Sequence, residues 1–170
     1  MTKYITKYFG EISLNEAKNY KKFFVNYNGY ELNIKLPKLI IDNKDILVKC
    51  LDVMDKYHEI NKIGKNGIIE NFSQDNLIKK YFEYHFMEFE KEKLFRIFGT
   101  NDFENIDIRR TVERMEYPDL SFDVKLVNGN KIGFSLDYMV SKRFSEEQLS
   151  VKMDERLKII GFEHMCYEWG

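Results

Sequence analysis

Cysteine and proline are scarce in this chain, with two of each among 170 residues. Two cysteines as far apart as Cys50 and Cys166 do not indicate the disulfide framework that staples small secreted domains. Cys50 falls in an amphipathic helix pattern, where a buried free thiol is ordinary. No apolar run approaches the ~20 residues that span a bilayer. Met1 to Gly10 carries Lys3 and Lys7 and has no apolar centre of the kind a signal peptide needs. The expected location is the cytoplasm, away from membranes.

An excess of charge of one sign is also missing. The 27 basic and 28 acidic residues give a formal net charge of −1, so no overall field draws the protein to nucleic acid. Nucleic-acid binding would need a local patch and is not expected. The nine glycines are dispersed, and Gly64-Lys65-Asn66-Gly67 lacks the length and the Lys-Ser/Thr ending of a phosphate-binding loop. Gly-x-Ser-x-Gly, His-Glu-x-x-His and Cys-x-x-Cys are all absent, which removes the usual signals of nucleophile-elbow hydrolases, zincins and zinc ribbons. No cofactor is expected.

What is present is apolar and aromatic: 44% hydrophobic residues with fourteen Phe and eleven Tyr, enough for one core in a single domain spanning 1–170. Abundant Lys, Asn, Ile, Tyr and Phe are also what an AT-rich bacterial genome encodes.

The strongest pattern runs from Asp119 to Val140. Leu120, Phe122, Val124 and Leu126 alternate with polar residues, and after Asn128-Gly129 the alternation resumes with Ile132, Phe134, Leu136, Tyr138 and Val140. This predicts a hairpin with one apolar face, turned where positive φ costs little. Phe23, Val25 and Tyr27 alternate up to Asn28-Gly29, and Tyr30, Leu32, Ile34 and Leu36 away from it, predicting a second such hairpin. A single first strand is expected over Tyr4–Leu14, bent at Gly10, and two last strands around Leu149–Met153 and from Leu157 onward.

Between the hairpins the period changes. Leu47, Cys50, Leu51, Met54 and Tyr57 predict an amphipathic helix capped by Asp42 or Asn43 and broken at Lys62–Asn66 by Gly64 and Gly67. Ser73 or Asp75 opens a second helix carrying Leu77, Ile78, Tyr81, Phe82, His85, Phe86 and Phe89, and a third is expected over Glu104–Met115. Strands, then helices, then strands argue an α+β fold. Its mostly antiparallel sheet is built from two Asn-Gly hairpins and C-terminal strands, with one face covered by two or three helices. The Asp119–Val140 hairpin is expected at its centre.

Few residues suggest chemistry. His85 lies on an apolar stripe with Glu88 three residues on, and His58 sits at the edge of its helix's apolar face; both read as core or boundary residues. His164 and Cys166 share a strand face and are weak metal candidates, because only Glu168 adds a local third ligand. The carboxylates Glu83, Glu88, Glu90 and Glu92 interleave with lysines, as on a solvated helix face. Arg109, Arg110 and Arg114, with Lys142-Arg143, form a basic cluster diluted by Asp107, Glu113 and Glu116. Tyr20, Tyr27, Tyr30, Tyr84 and Tyr167 fall at polar positions or turn margins and suit a protein interface.

Tyr8-Phe9-Gly10-Glu11-Ile12, Leu94-Phe95-Arg96-Ile97-Phe98-Gly99, the strand ending in Asp137-Tyr138 and the terminal strand pair from Leu149 to His164 follow one another in a familiar order. Over nearly the full length this order resembles a bacterial family known as domain of unknown function two thousand four, with a departure at the Asp154-Glu155-Arg156 turn. The resemblance carries no catalytic residues onto this chain and implies a compact cytoplasmic α+β protein, built like the immunity proteins encoded beside polymorphic toxins. The expected function is therefore a non-enzymatic protein-interaction module, with Asp123, Lys125, Asp137, Tyr138 and Tyr167 as binding residues. The alternative is a small enzyme or metal-binding protein using His164, Cys166 and Glu168, or His85 with Glu88.

Overall fold

The computed structural model describes residues 2–14, 20–123 and 131–166. The fold is α+β, with a six-stranded sheet, a separate two-stranded sheet and a block of helices that in sequence separates the first two strands of the larger sheet from the other four.

Strands β1 (Thr2–Thr6) and β2 (Gly10–Leu14) form the small sheet. The single strand expected over Tyr4–Leu14 is thus a hairpin. The Thr6 hydroxyl accepts from the Phe9 amide and donates to the Gly10 carbonyl, pinning the turn, and Gly10 supplies the positive φ of 67° that follows it. Phe9 and Ile12 are buried.

Strands β3 (Tyr20–Tyr27) and β4 (Tyr30–Pro37) pair antiparallel about Asn28-Gly29, both with positive φ as the dipeptide predicts. Strands β5 (Asp119–Asp123) and β6 (Gly133–Tyr138) also pair antiparallel, while their Asn128-Gly129 turn and Lys125 lie outside the described residues. Strands β7 (Glu147–Asp154) and β8 (Ile159–Cys166) complete the order β3-β4-β5-β6-β7-β8, so the Asp119–Val140 pair is central, as expected. Among the described strands only β4 and β5 run parallel, and the helical block is their crossover. Strand β7 starts before the expected Leu149, at Glu147, and Leu157, read as strand, sits in the turn at φ 63°. There the Asp154 carboxylate accepts from the Arg156 and Lys158 amides, and a bulge beside Lys152 and Met153 adjusts the register.

Alternation sends Phe23, Ile34, Leu120, Leu136, Val151 and Phe162 to one face as a row of cross-strand partners. The helices cover this face. Helix α1 (Lys38–Ile41) follows β4 directly, and α2 (Lys44–Met54) is capped by Asn43, whose side chain accepts from the Ile46 amide. Helix α3 (Tyr57–Asn71) runs straight through Gly64 and Gly67, so the break falls at Asp55-Lys56 instead. These glycines are packing residues. A Cβ at Gly64 would lie 2.5 Å from Tyr138 Oη, and one at Gly67 would collide with Ile159 Cδ1, so both let the helix close on the sheet.

Asp75 caps α4 (Asn76–Glu88), and α5 (Lys91–Phe98) ends at Gly99 with φ 77°. The helix expected over Glu104–Met115 is a short 3-10 turn at Phe103–Asn105 followed by α6 (Ile108–Arg114), which Asp107 caps. Three buried tyrosines lock helices to sheet or to the chain entering it. Tyr57 donates to the Pro118 carbonyl at 2.6 Å, Tyr138 to Asn61 Oδ1 at 2.9 Å, and Tyr81 accepts from the Val140 amide at 3.0 Å.

Candidate functional site

The other face of the large sheet carries the polar half of the alternation. Its central row of cross-strand partners is Phe24, Asn33, Asp119, Asp137, Ser150 and Glu163, with Lys35, Ser121, Ser135 and Lys152 in the next row. The middle of this face is hollowed into a groove of about 550 Å³, with Asp123, Asp137, Ser150, Lys152, Glu163 and Met165 among its lining residues. Ile160, 63% exposed, stands at its side, and Phe24, 62% exposed, marks the far edge of the same sheet face.

Asp137 is the chemical centre of the groove. It is only 6% exposed, and its carboxylate accepts from Ser150 Oγ at 2.6 Å and Ser121 Oγ at 2.9 Å, with Ser135 a third hydroxyl beside it. Among the described residues no cation is paired with it. Burial pushes its pKa above the usual carboxylate value, the negative charge of Asp119 across the strand pair pushes the same way, and the serine hydroxyls oppose both. Asp119 differs, because Lys142 Nζ lies 3.0 Å from its Oδ1 and Asn33 donates to both its oxygens. Asn33 Oδ1, in the same row, has no hydrogen-bond partner. Lys152 and Glu163 form an ion pair at the groove wall.

The sequence-predicted binding residues divide accordingly. Asp123 and Asp137 both line the groove. Tyr138 does not: it points to the opposite face, fully buried, with its hydroxyl on Asn61 and its pKa raised by burial. Adjacent residues of one strand face opposite sides, so Asp137 and Tyr138 cannot share a surface. Tyr167 and Lys125 lie outside the described residues. Of the tyrosines read as interface residues, Tyr30 is exposed, whereas Tyr27 is buried among Tyr8, Phe9, Tyr57 and Tyr117. Ser150, Lys152 and Glu163 were missed, although strand alternation from Leu149 and Val151 already placed Ser150 and Lys152 on the polar side.

The histidines are built into structure. His85 is buried, and its Nδ1 lies 2.8 Å from the Tyr81 carbonyl, which only accepts; Nδ1 therefore carries the hydrogen and Nε2 accepts from Ser145 Oγ at 2.7 Å. Burial lowers its pKa to about 4, so it is neutral at neutral pH. Its partner is Ser145 rather than Glu88. His164 meets Glu147 at 2.5 Å. Cys166 lies in β8 with its side chain outside those described, and Glu168 is outside the described residues. Among the described residues no three His, Cys, Asp or Glu side chains come together as metal ligands. Cys50 is buried, its thiol pushed up to about 12 by burial.

The basic cluster is partly assembled. Arg114 and Arg143 share a pocket with Arg96, whereas Arg109 and Arg110 do not line it. No helix among the described residues is long and apolar enough to cross a membrane. Compared with protein-family models, curated proteins and solved structures, the chain matches none of them.

Proposed function

We propose that this protein is a non-enzymatic interaction module that receives another protein on the open face of its six-stranded sheet. The observation that carries the reading is Asp137, a buried carboxylate at the floor of a groove, held by hydroxyls and without a cation partner among the described residues. A partner's lysine or arginine side chain entering the groove supplies the missing charge, and the unpartnered Asn33 Oδ1 in the same row is a further acceptor. Ile160 and Phe24 offer apolar area at two sides of the face, the mixture of apolar anchor and polar contact found in protein interfaces.

The order of segments that resembles domain of unknown function two thousand four gives this reading its specific form, an immunity protein that covers a basic active site of a toxin. The test is binding to the product of the neighbouring gene, measured by calorimetry with both proteins purified. A 1:1 complex, weakened at least about tenfold by Ile160→Asp or Asp123→Lys, is the expected result. Unchanged affinity in both variants would overturn the site. Steady turnover of a small substrate by the purified protein, abolished by one substitution in the groove, would overturn the non-enzymatic reading.

A further inference from the structure

A second concavity lies away from the sheet groove, where the end of α5, the end of α6 and the connection from β6 to β7 meet. It encloses about 450 Å³ and is lined by Arg96, Arg114, Arg143, Phe144, Glu116 and Thr111, with Ile97, Val140 and Ser141 completing it. We propose that this pocket binds a small phosphate-bearing molecule.

Three guanidinium groups reach it from three separate elements, and none of them forms an ion pair with a carboxylate among the described residues. Uncompensated like charges gathered in one concavity repel each other, and an anion relieves that cost. Phe144 holds two of them in place: the Arg96 and Arg143 guanidinium carbons lie 5.5 and 5.2 Å from its ring centroid. Planar forks fixed in this way lose little entropy when they bind a phosphoryl group through paired N–H donors. The single lining acid, Glu116, has one oxygen accepting from the Lys142 backbone amide at 3.0 Å, which ties it to the chain.

Thr111, 4% exposed, closes the wall of the pocket behind the arginines. The pocket's size suits a small molecule. A nucleic-acid strand needs a basic track several phosphates long, whereas here Arg109 and Arg110 lie outside the pocket.

The experiment is calorimetric titration of the full chain with inorganic pyrophosphate at low ionic strength. One saturable site is expected, weakened at least about tenfold by Arg96→Gln or Arg114→Gln. Arg96 and Arg114 are exposed, so their variants keep the wild-type unfolding midpoint. No saturable heat up to about 10 mM, a range that covers even weak sites, would overturn the proposal, as would affinity unchanged in both arginine variants. Retention of a single-stranded RNA through the same arginines without pyrophosphate binding would overturn the small-ligand class. Each result is independent of the sheet groove.

Discussion

Two buried ionisable side chains illustrate how little of a residue's role is written in its own neighbourhood. His85 has an apolar sequence context, but its partners are the Tyr81 carbonyl one turn back and Ser145, sixty residues on. Its folded pKa near 4 lies below the ordinary value of about 6.5. The unfolded chain therefore takes up the proton first, and stability falls as pH drops from about 6.5 to about 4, by up to roughly 3 kcal/mol. Glu147 and His164 lie close by and act on His85 in opposite directions, Glu147 favouring its charged form. His85→Gln is expected to flatten that limb of the unfolding midpoint plotted against pH; an unchanged slope would assign it to other groups. Asp137 has the opposite sign. Its raised pKa means that the folded state holds the proton more tightly, so ionising it costs stability as pH rises above the ordinary aspartate value of about 4. Asp137→Asn is expected to raise the thermal midpoint at pH 7, with the gain disappearing at low pH where the acid is protonated. A loss at pH 7 would show that the serine hydroxyls stabilise the ionised form more than burial penalises it.

At the scale of elements, capping chemistry was legible and glycine was not. Asn43 and Asp75 start their helices as their side chains predict, because an N-cap is a local hydrogen bond to an amide two or three residues on. Gly64 and Gly67 carry two meanings in sequence, a helix break or a close approach, and only the sheet beneath α3 chooses between them. On propensity alone Gly64→Ala would stabilise the helix by about 1 kcal/mol. The new methyl would press on Tyr138 Oη and Leu136 Cδ1, both in the core, and overpacking of this kind costs about 1–3 kcal/mol. The net effect expected in urea unfolding is destabilisation, and a more stable variant would show that α3 can shift away from the sheet. The first hairpin was missed for a related reason. The Thr6 hydroxyl that folds the Lys7–Phe9 turn bonds to main chain, and alternation from Tyr4 to Leu14 does not register it.

At the scale of the molecule, the sheet keeps its strands in chain order and so puts β5 and β6 at the centre. Strands β5 and β6 are flanked on both sides, whereas β3 and β8 are edges. Amide exchange is expected to be slowest at Leu120, Phe122, Phe134 and Leu136 and fastest among the strands at β3, since edge strands open at lower cost. Faster exchange at β5 than at β3 would mean that the parallel β4–β5 pairing, the one non-local joint of the sheet, opens before the edges do. The sequence by itself determined the strands and faces of the two Asn-Gly hairpins and the helices that Asn43 and Asp75 open, because periodicity and turn chemistry act within a few residues. It also marked Asp123 and Asp137 as belonging to a polar sheet face. Tertiary structure alone decided which face the helices cover, that Asp119 has Lys142 while Asp137 has no cation partner among the described residues, and that Arg96 joins Arg114 and Arg143 in one pocket beside Phe144. Those outcomes depend on side chains brought together from separate elements, and the net charge of a pocket or a groove is a sum over such neighbours that no local pattern contains.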